Sequence, residues 1–159
     1  MSLPRLKKQL APLNRDQLEE LIADLYSARK EAKEYLDFWA DPDQKKMLDK
    51  YMTAARRVFF SGGVTPRRRP SLTDLNHLVH NFMTLPMDHE VTASFLFAVV
   101  EHEADWLELR WRRLSYRTSI YKNLNNLRLY IENLPNGEEE KWKIRLERTI
   151  ERVNALFVI

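Results

Sequence analysis

The sequence predicts an all-α fold, on three observations. Apolar residues return every three or four positions along nearly the whole chain. Helix-starting motifs stand directly before those runs: Asn14 with Gln17, Asp41-Pro42 with Gln44, and Ser71 with Asp74. Glycine, which all-β folds use in their turns, occurs only at Gly62, Gly63 and Gly137 among 159 residues. The expected architecture is a single domain spanning residues 1–159. It has about seven helices, arranged as an irregular bundle or as a short stack of antiparallel helix hairpins.

The elements follow in order. Leu3, Leu6, Leu10 and Leu13 share one helical face, and Pro4 suits a first turn. Asn14 caps the next helix, whose stripe is Leu18, Leu21, Ile22, Leu25 and Tyr26. The pattern loosens over residues 27–30, and a dense apolar cluster follows at Tyr35, Leu36, Phe38 and Trp39. Asp41 as cap and Pro42 in the first turn open a helix that buries Leu48, Tyr51, Met52, Ala55 and Phe59. Ser61-Gly62-Gly63 stops it, and residues 61–70 read as an irregular, exposed loop. That loop is the one place where the sequence offers a subdivision, into residues 1–60 and 71–159.

Ser71 and Asp74 start a helix that buries Leu75, Leu78, Val79 and Phe82. After Pro86, Asp88 caps a helix whose middle, Phe95 to Val100, is apolar all round; such a helix is contacted on several sides. A helix from about Ser115 to Leu134 carries Ile120, Leu124, Leu127 and Ile131. Pro135-Asn136-Gly137 is a turn. Glu138, Glu139 and Glu140 then favour the start of a last helix bearing Trp142, Leu146, Ile150 and Val153. Strand propensity is confined to Val99-Val100 and Phe157-Val158-Ile159.

The opening segment 6–26, then Lys33-Glu34-Tyr35-Leu36-Asp37-Phe38 and Asp41-Pro42-Asp43, resembles an uncharacterised bacterial family of small helical proteins. That family is known only as a domain of unknown function. Val99 to Glu103, and Tyr121 followed by Leu124 and Leu127, fit the same pattern. The resemblance covers most of the chain and implies an all-helical fold. It implies no reaction, cofactor or catalytic residue.

Composition narrows function by exclusion. The absence of cysteine removes disulfides, thiolate catalysis and Cys-type metal sites. Three glycines, two of them adjacent, cannot write a Rossmann or P-loop phosphate cradle. No run of about 20 apolar residues occurs, and the first residues lack the apolar stretch of a secretory signal. A cytoplasmic protein is therefore expected. The net charge of +3 is spread evenly, without the polybasic tail that implies bulk binding to nucleic acid or lipid.

Three constellations are candidates for chemistry. His77 and His80 share a helix face and, with His102, offer metal ligands; the Glu-x-x-His pairs of a helical di-metal site are missing. Glu101, Asp105 and Glu108 form an acidic stripe that reads most simply as an exposed face paired with Arg112. The arginines are the more informative feature. Arg67, Arg68 and Arg69 lie between two prolines, which hold them extended and exposed together. Arg110, Arg112, Arg113 and Arg117 alternate with Trp111 and Tyr116, a composition that suits phosphates and unpaired bases. The bland alternative is that Trp111 and Leu114 are core and the arginines pair with Glu103 and Glu108. Basic pairs at Lys7-Lys8, Lys45-Lys46 and Arg56-Arg57 add to a phosphate-binding surface if they meet on one face.

The expectation is a non-enzymatic interaction or scaffold protein with no cofactor or metal. Its partner is another protein or its own copy, met through Arg67, Arg68, Arg69, Arg110, Arg112, Arg113 and Arg117. Nucleic-acid binding by the same arginines is the second reading, and a metal-dependent enzyme the third.

Overall fold

Three of the helices begin at a side chain that caps them, Asn14, Asp43 or Ser71. In a computed structural model, which describes residues 1–110 and 114–158, eight helices hold 75% of the described residues. Helix α1 (Leu3–Leu10) has Pro4 in its first turn. Asn14 opens α2 (Arg15–Ala28) with a reciprocal box: its Oδ1 accepts from the Gln17 amide at 2.9 Å, and Gln17 Oε1 accepts from the Asn14 amide at 3.0 Å. Arg29 is extended (φ −133°, ψ 119°) and separates α2 from α3 (Lys30–Ala40). This break explains why the apolar stripe loosens at residues 27–30.

These three helices form one compact unit, Met1–Pro42. A polar trio clasps α2 to α3. Tyr26 Oη donates to Asp37 Oδ1 at 2.8 Å, and Lys33 Nζ donates to Tyr26 Oη at 2.7 Å and to Asp37 Oδ2 at 2.9 Å. Within this unit Phe38 alone is buried.

The second unit is Asp43–Ile159, and residues 61–70 lie inside it. Its first helix, α4 (Gln44–Phe59), is capped by Asp43 rather than by the expected Asp41: Asp43 Oδ1 accepts from the Lys46 amide at 2.9 Å. Asp41 closes α3 instead, its amide donating to Asp37 O at 3.0 Å.

Residues 61–70 are more ordered than expected. Strands β1 (Phe60–Ser61) and β2 (Thr65–Pro66) pair antiparallel, with Phe60 opposite Pro66. Gly62 and Gly63 both have positive φ, 62° and 79°, which a tight hairpin turn requires of its two central residues; the Val64 amide closes it on Ser61 O at 3.2 Å.

Ser71 Oγ accepts from the Asp74 amide at 3.2 Å and starts α5 (Leu72–Met83). Helix α6 (His89–Leu109) is the central helix that its all-round apolar sequence predicts. Twelve of its 21 residues are buried, and α4, α7 (Leu114–Glu132) and α8 (Glu140–Ala155) pack against it. Val99 and Val100 are helical within it, so their strand propensity is overridden by burial. Asp88 stands at the cap position of α6 but spends its side chain elsewhere. Its Oδ2 accepts from Gln44 Nε2 at 3.0 Å while its amide donates to Gln44 Oε1 at 2.8 Å, tying the starts of α4 and α6 together.

The core is aromatic. The Phe82 and Phe95 ring centroids lie 4.0 Å apart, with Tyr51 edge-on to both, and Trp106 sits between Phe59 and Tyr116.

Candidate anion-binding groove

One helix face and one loop build the site. Lys46, Lys50, Thr53 and Arg57 recur at i, i+4, i+7 and i+11 along α4, which places them in a row. Beside that row runs the chain leaving β2. Together they wall an open groove of about 810 Å³, lined by Lys46, Lys50, Arg57, Arg67 and Arg69, with Asp49, Asp74, Thr53 and Ser71. Arg67 and Arg69 are on the groove side, and Arg68 between them is not part of the lining. The chain bends at Arg68 and Arg69 rather than running extended.

The loop that carries these arginines is fixed by its own carbonyl oxygens. Arg56 Nε donates to Gly63 O at 2.8 Å, Arg110 Nη2 to Pro66 O at 3.1 Å, Trp106 Nε1 to Arg67 O at 2.8 Å and Tyr116 Oη to Pro70 O at 3.0 Å. Arg67 is anchored as well. Its amide donates to Phe59 O and its Nε to Arg57 O, both at 2.8 Å.

Among the described residues, Lys46, Arg57, Arg67 and Arg69 form no ion pair. The groove therefore gathers five cations against two carboxylates, Asp49 and Asp74, and four of the cations are without an ion pair among the described residues.

The other arginines divide. Arg110 is exposed and serves the loop through Pro66 O. Arg117 lies over the Phe157 ring at 5.1 Å and the Tyr121 ring at 5.9 Å, away from the groove lining. Arg112 and Arg113, with Trp111, lie outside the described residues. The basic pairs are split by the helical turn: Arg57 faces the groove while Arg56 reaches Asp105 Oδ2 at 3.1 Å.

The acidic stripe is paired with arginines of α8, and its expected partner Arg112 lies outside the described residues. Glu101 Oε1 accepts from Arg145 Nη2 at 2.9 Å. Asp105 Oδ1 accepts from Arg152 Nη2 at 2.8 Å, and Glu108 Oε1 from Arg152 Nε at 3.0 Å. Glu103 does not join the arginines. It is fully buried and its Oε2 accepts from Asn123 Nδ2 at 2.9 Å. Burial pushes this carboxyl up to about 7.

The histidines are dispersed. His77 and His80 are exposed on α5, and His89 Nδ1 stands 3.0 Å from Tyr130 Oη. His102 is held below its ordinary value, first by burial and then by the Arg56 charge. No group of three or more potential ligands that could hold a metal occurs among the described residues.

The signal for the groove was present in the i, i+4, i+7, i+11 series on α4, which pair-by-pair reading of Lys45-Lys46 and Arg56-Arg57 passes over. Lys50, Thr53, Ser71 and Asp74 join the site only through that geometry.

No curated protein and no solved structure matches the chain. Residues 1–155 match the model of a family described as a family of unknown function, DUF6155. This span is nearly the whole chain and includes every groove residue. The protein therefore belongs to the DUF6155 family.

Proposed function

We propose that this protein is a non-enzymatic interaction module that takes an acidic segment of a partner protein into the groove between α4 and the residue 67–71 chain. The observation that carries this reading is the set of four cations that face an open concavity with no carboxylate bound to them. Charged groups arranged this way steer an oppositely charged partner and fix its register. A further feature favours a peptide over a nucleic acid: the lining contains no aromatic ring on which a base could stack.

The carboxylates that catalysis would draw on are otherwise engaged. Glu101, Asp105 and Glu108 hold arginines, and Glu103 is buried against Asn123.

Titration with a fluorescent glutamate-rich peptide tests the proposal. Binding is expected to weaken as salt rises. It is expected to fall roughly tenfold or more in the Lys46→Ala/Arg57→Ala/Arg69→Ala variant. Peptide binding that ignores these substitutions overturns the reading. Tight binding of a single-stranded oligonucleotide with none of the peptide transfers the groove to nucleic acid.

A further inference from the structure

We propose that the Met1–Pro42 unit is a self-association surface, in which the basic α1 of one copy lies along the acidic α2 of a second copy about a two-fold axis.

The first ground is that this unit leaves its apolar faces uncovered. Neither α1 nor α2 buries a single residue. Leu6, Leu21, Ile22 and Leu25 are 41–49% exposed, Tyr35 40% and Trp39 71%. Leu21, Ile22 and Leu25 fall on one face of α2, and Tyr35 and Trp39, four apart, on one face of α3. Eight of the fifteen exposed large hydrophobic side chains of the described residues lie in these first 42 positions.

The second ground is the length of α1. A helix of eight residues is marginal in water, and its stability comes from packing an amphipathic face against something. With no residue of α1 buried, that surface is still to be supplied.

The third ground identifies the occupant. Helix α1 carries Arg5, Lys7 and Lys8 and no carboxylate. Helix α2 carries Asp16, Glu19, Glu20 and Asp24 against the lone Arg15, which is itself paired with Glu19 at 2.7 Å. A two-fold interface needs one patch that complements itself, so that α1 meets the partner's α2 and α2 meets the partner's α1. Opposite charges on two neighbouring helices, each flanking exposed leucines, satisfy that requirement within one chain. An unrelated partner would have to reproduce both signs.

Sedimentation velocity of the full chain tests this. The wild-type protein is expected to dimerise at micromolar concentration. Lys7→Glu/Lys8→Glu and Glu20→Lys/Asp24→Lys change only exposed side chains. Each is expected to weaken its own dimer roughly tenfold or more, because like charges then oppose at both contacts. An equimolar mixture of the two variants is expected to dimerise again, since reversed α1 then meets reversed α2 across the interface. Pairing of α1 with α2 inside one chain cannot give that rescue. A wild-type monomer at high micromolar concentration overturns the proposal. So does a dimer indifferent to both variants, or a mixture that stays monomeric while circular dichroism reports native helix content.

Discussion

Two regions of the second unit use arginine in opposite ways. Along the seam of α4, α6 and α8, Arg56, Arg145 and Arg152 meet Asp105, Glu101 and Glu108 at 2.8–3.1 Å. Two of these arginines also lie over aromatic faces: Arg145 is 4.3 Å from the Phe97 ring centroid and Arg56 4.3 Å from that of Phe60. In the groove, one residue along from Arg56, Arg57 faces open space beside other cations. A guanidinium of α4 or α8 held by the carboxylates of α6 works as mortar. One without an ion pair among the described residues, as Arg57 is, keeps its charge open to solvent. Its place on the helix, and not its residue type, decides between the two.

The largest test concerns the carboxylate that belongs to neither region. Glu103 has a folded value of about 7 against an ordinary 4.5. The folded state therefore keeps a proton that the unfolded chain releases. The stabilisation is complete below about pH 4.5 and is lost as pH rises through about 7, a loss of about 3 kcal/mol. Denaturant titrations across this range should show that fall. Glu103→Gln should abolish it and make the protein more stable at pH 8. The remaining slope should then reverse, because His102 is held below its ordinary value and destabilises the fold as pH falls below about 6.5.

Next in size is the bond that holds the groove wall. Trp106→Phe removes the indole donor from Arg67 O and should lower stability by about 2 kcal/mol. It should also weaken peptide capture with every groove cation still present. Unchanged affinity would show that the wall needs no anchor.

The seam itself should respond less. Asp105→Ala removes the shared acceptor of Arg56 and Arg152, and the side chains are about one-third exposed. Solvent screening limits the expected loss to about 1 kcal/mol, read from the urea midpoint. The smallest expected stability change is in Arg57→Ala/Arg69→Ala, within about 0.5 kcal/mol, since neither side chain has an ion-pair partner to lose. A loss above 1 kcal/mol would place these arginines with the mortar.

Much of the fold is legible because its signals are local. The Asn14 box and the Ser71 cap each act within three residues, and the all-round apolar middle of α6 announces its central place. The cap of α4 falls on Asp43 while Asp41 closes the preceding helix. The hairpin of β1 and β2 is harder, since two paired residues per strand give no periodicity to read. The groove was legible in part. Arg67 and Arg69 stand out in the sequence, but the donors that position their loop, Trp106, Arg110 and Tyr116, lie about 40 residues further along. The unpaired state of the cations depends on where Glu101, Asp105 and Glu108 turn, and that is decided by the packing of α6 against α4 and α8. Glu103 shows the same gap: one step along the helix from His102 and two from Glu101, it points into the core, which its residue type opposes.

The ladder of side-chain donors on the carbonyls of residues 63–70 bears on how a guest is received. The wall has surrendered its freedom before anything arrives. If an acidic segment binds there as proposed, association orders that segment and the cation side chains but not the backbone of the wall, so long-range attraction sets the speed of capture and the number of simultaneous contacts sets its lifetime.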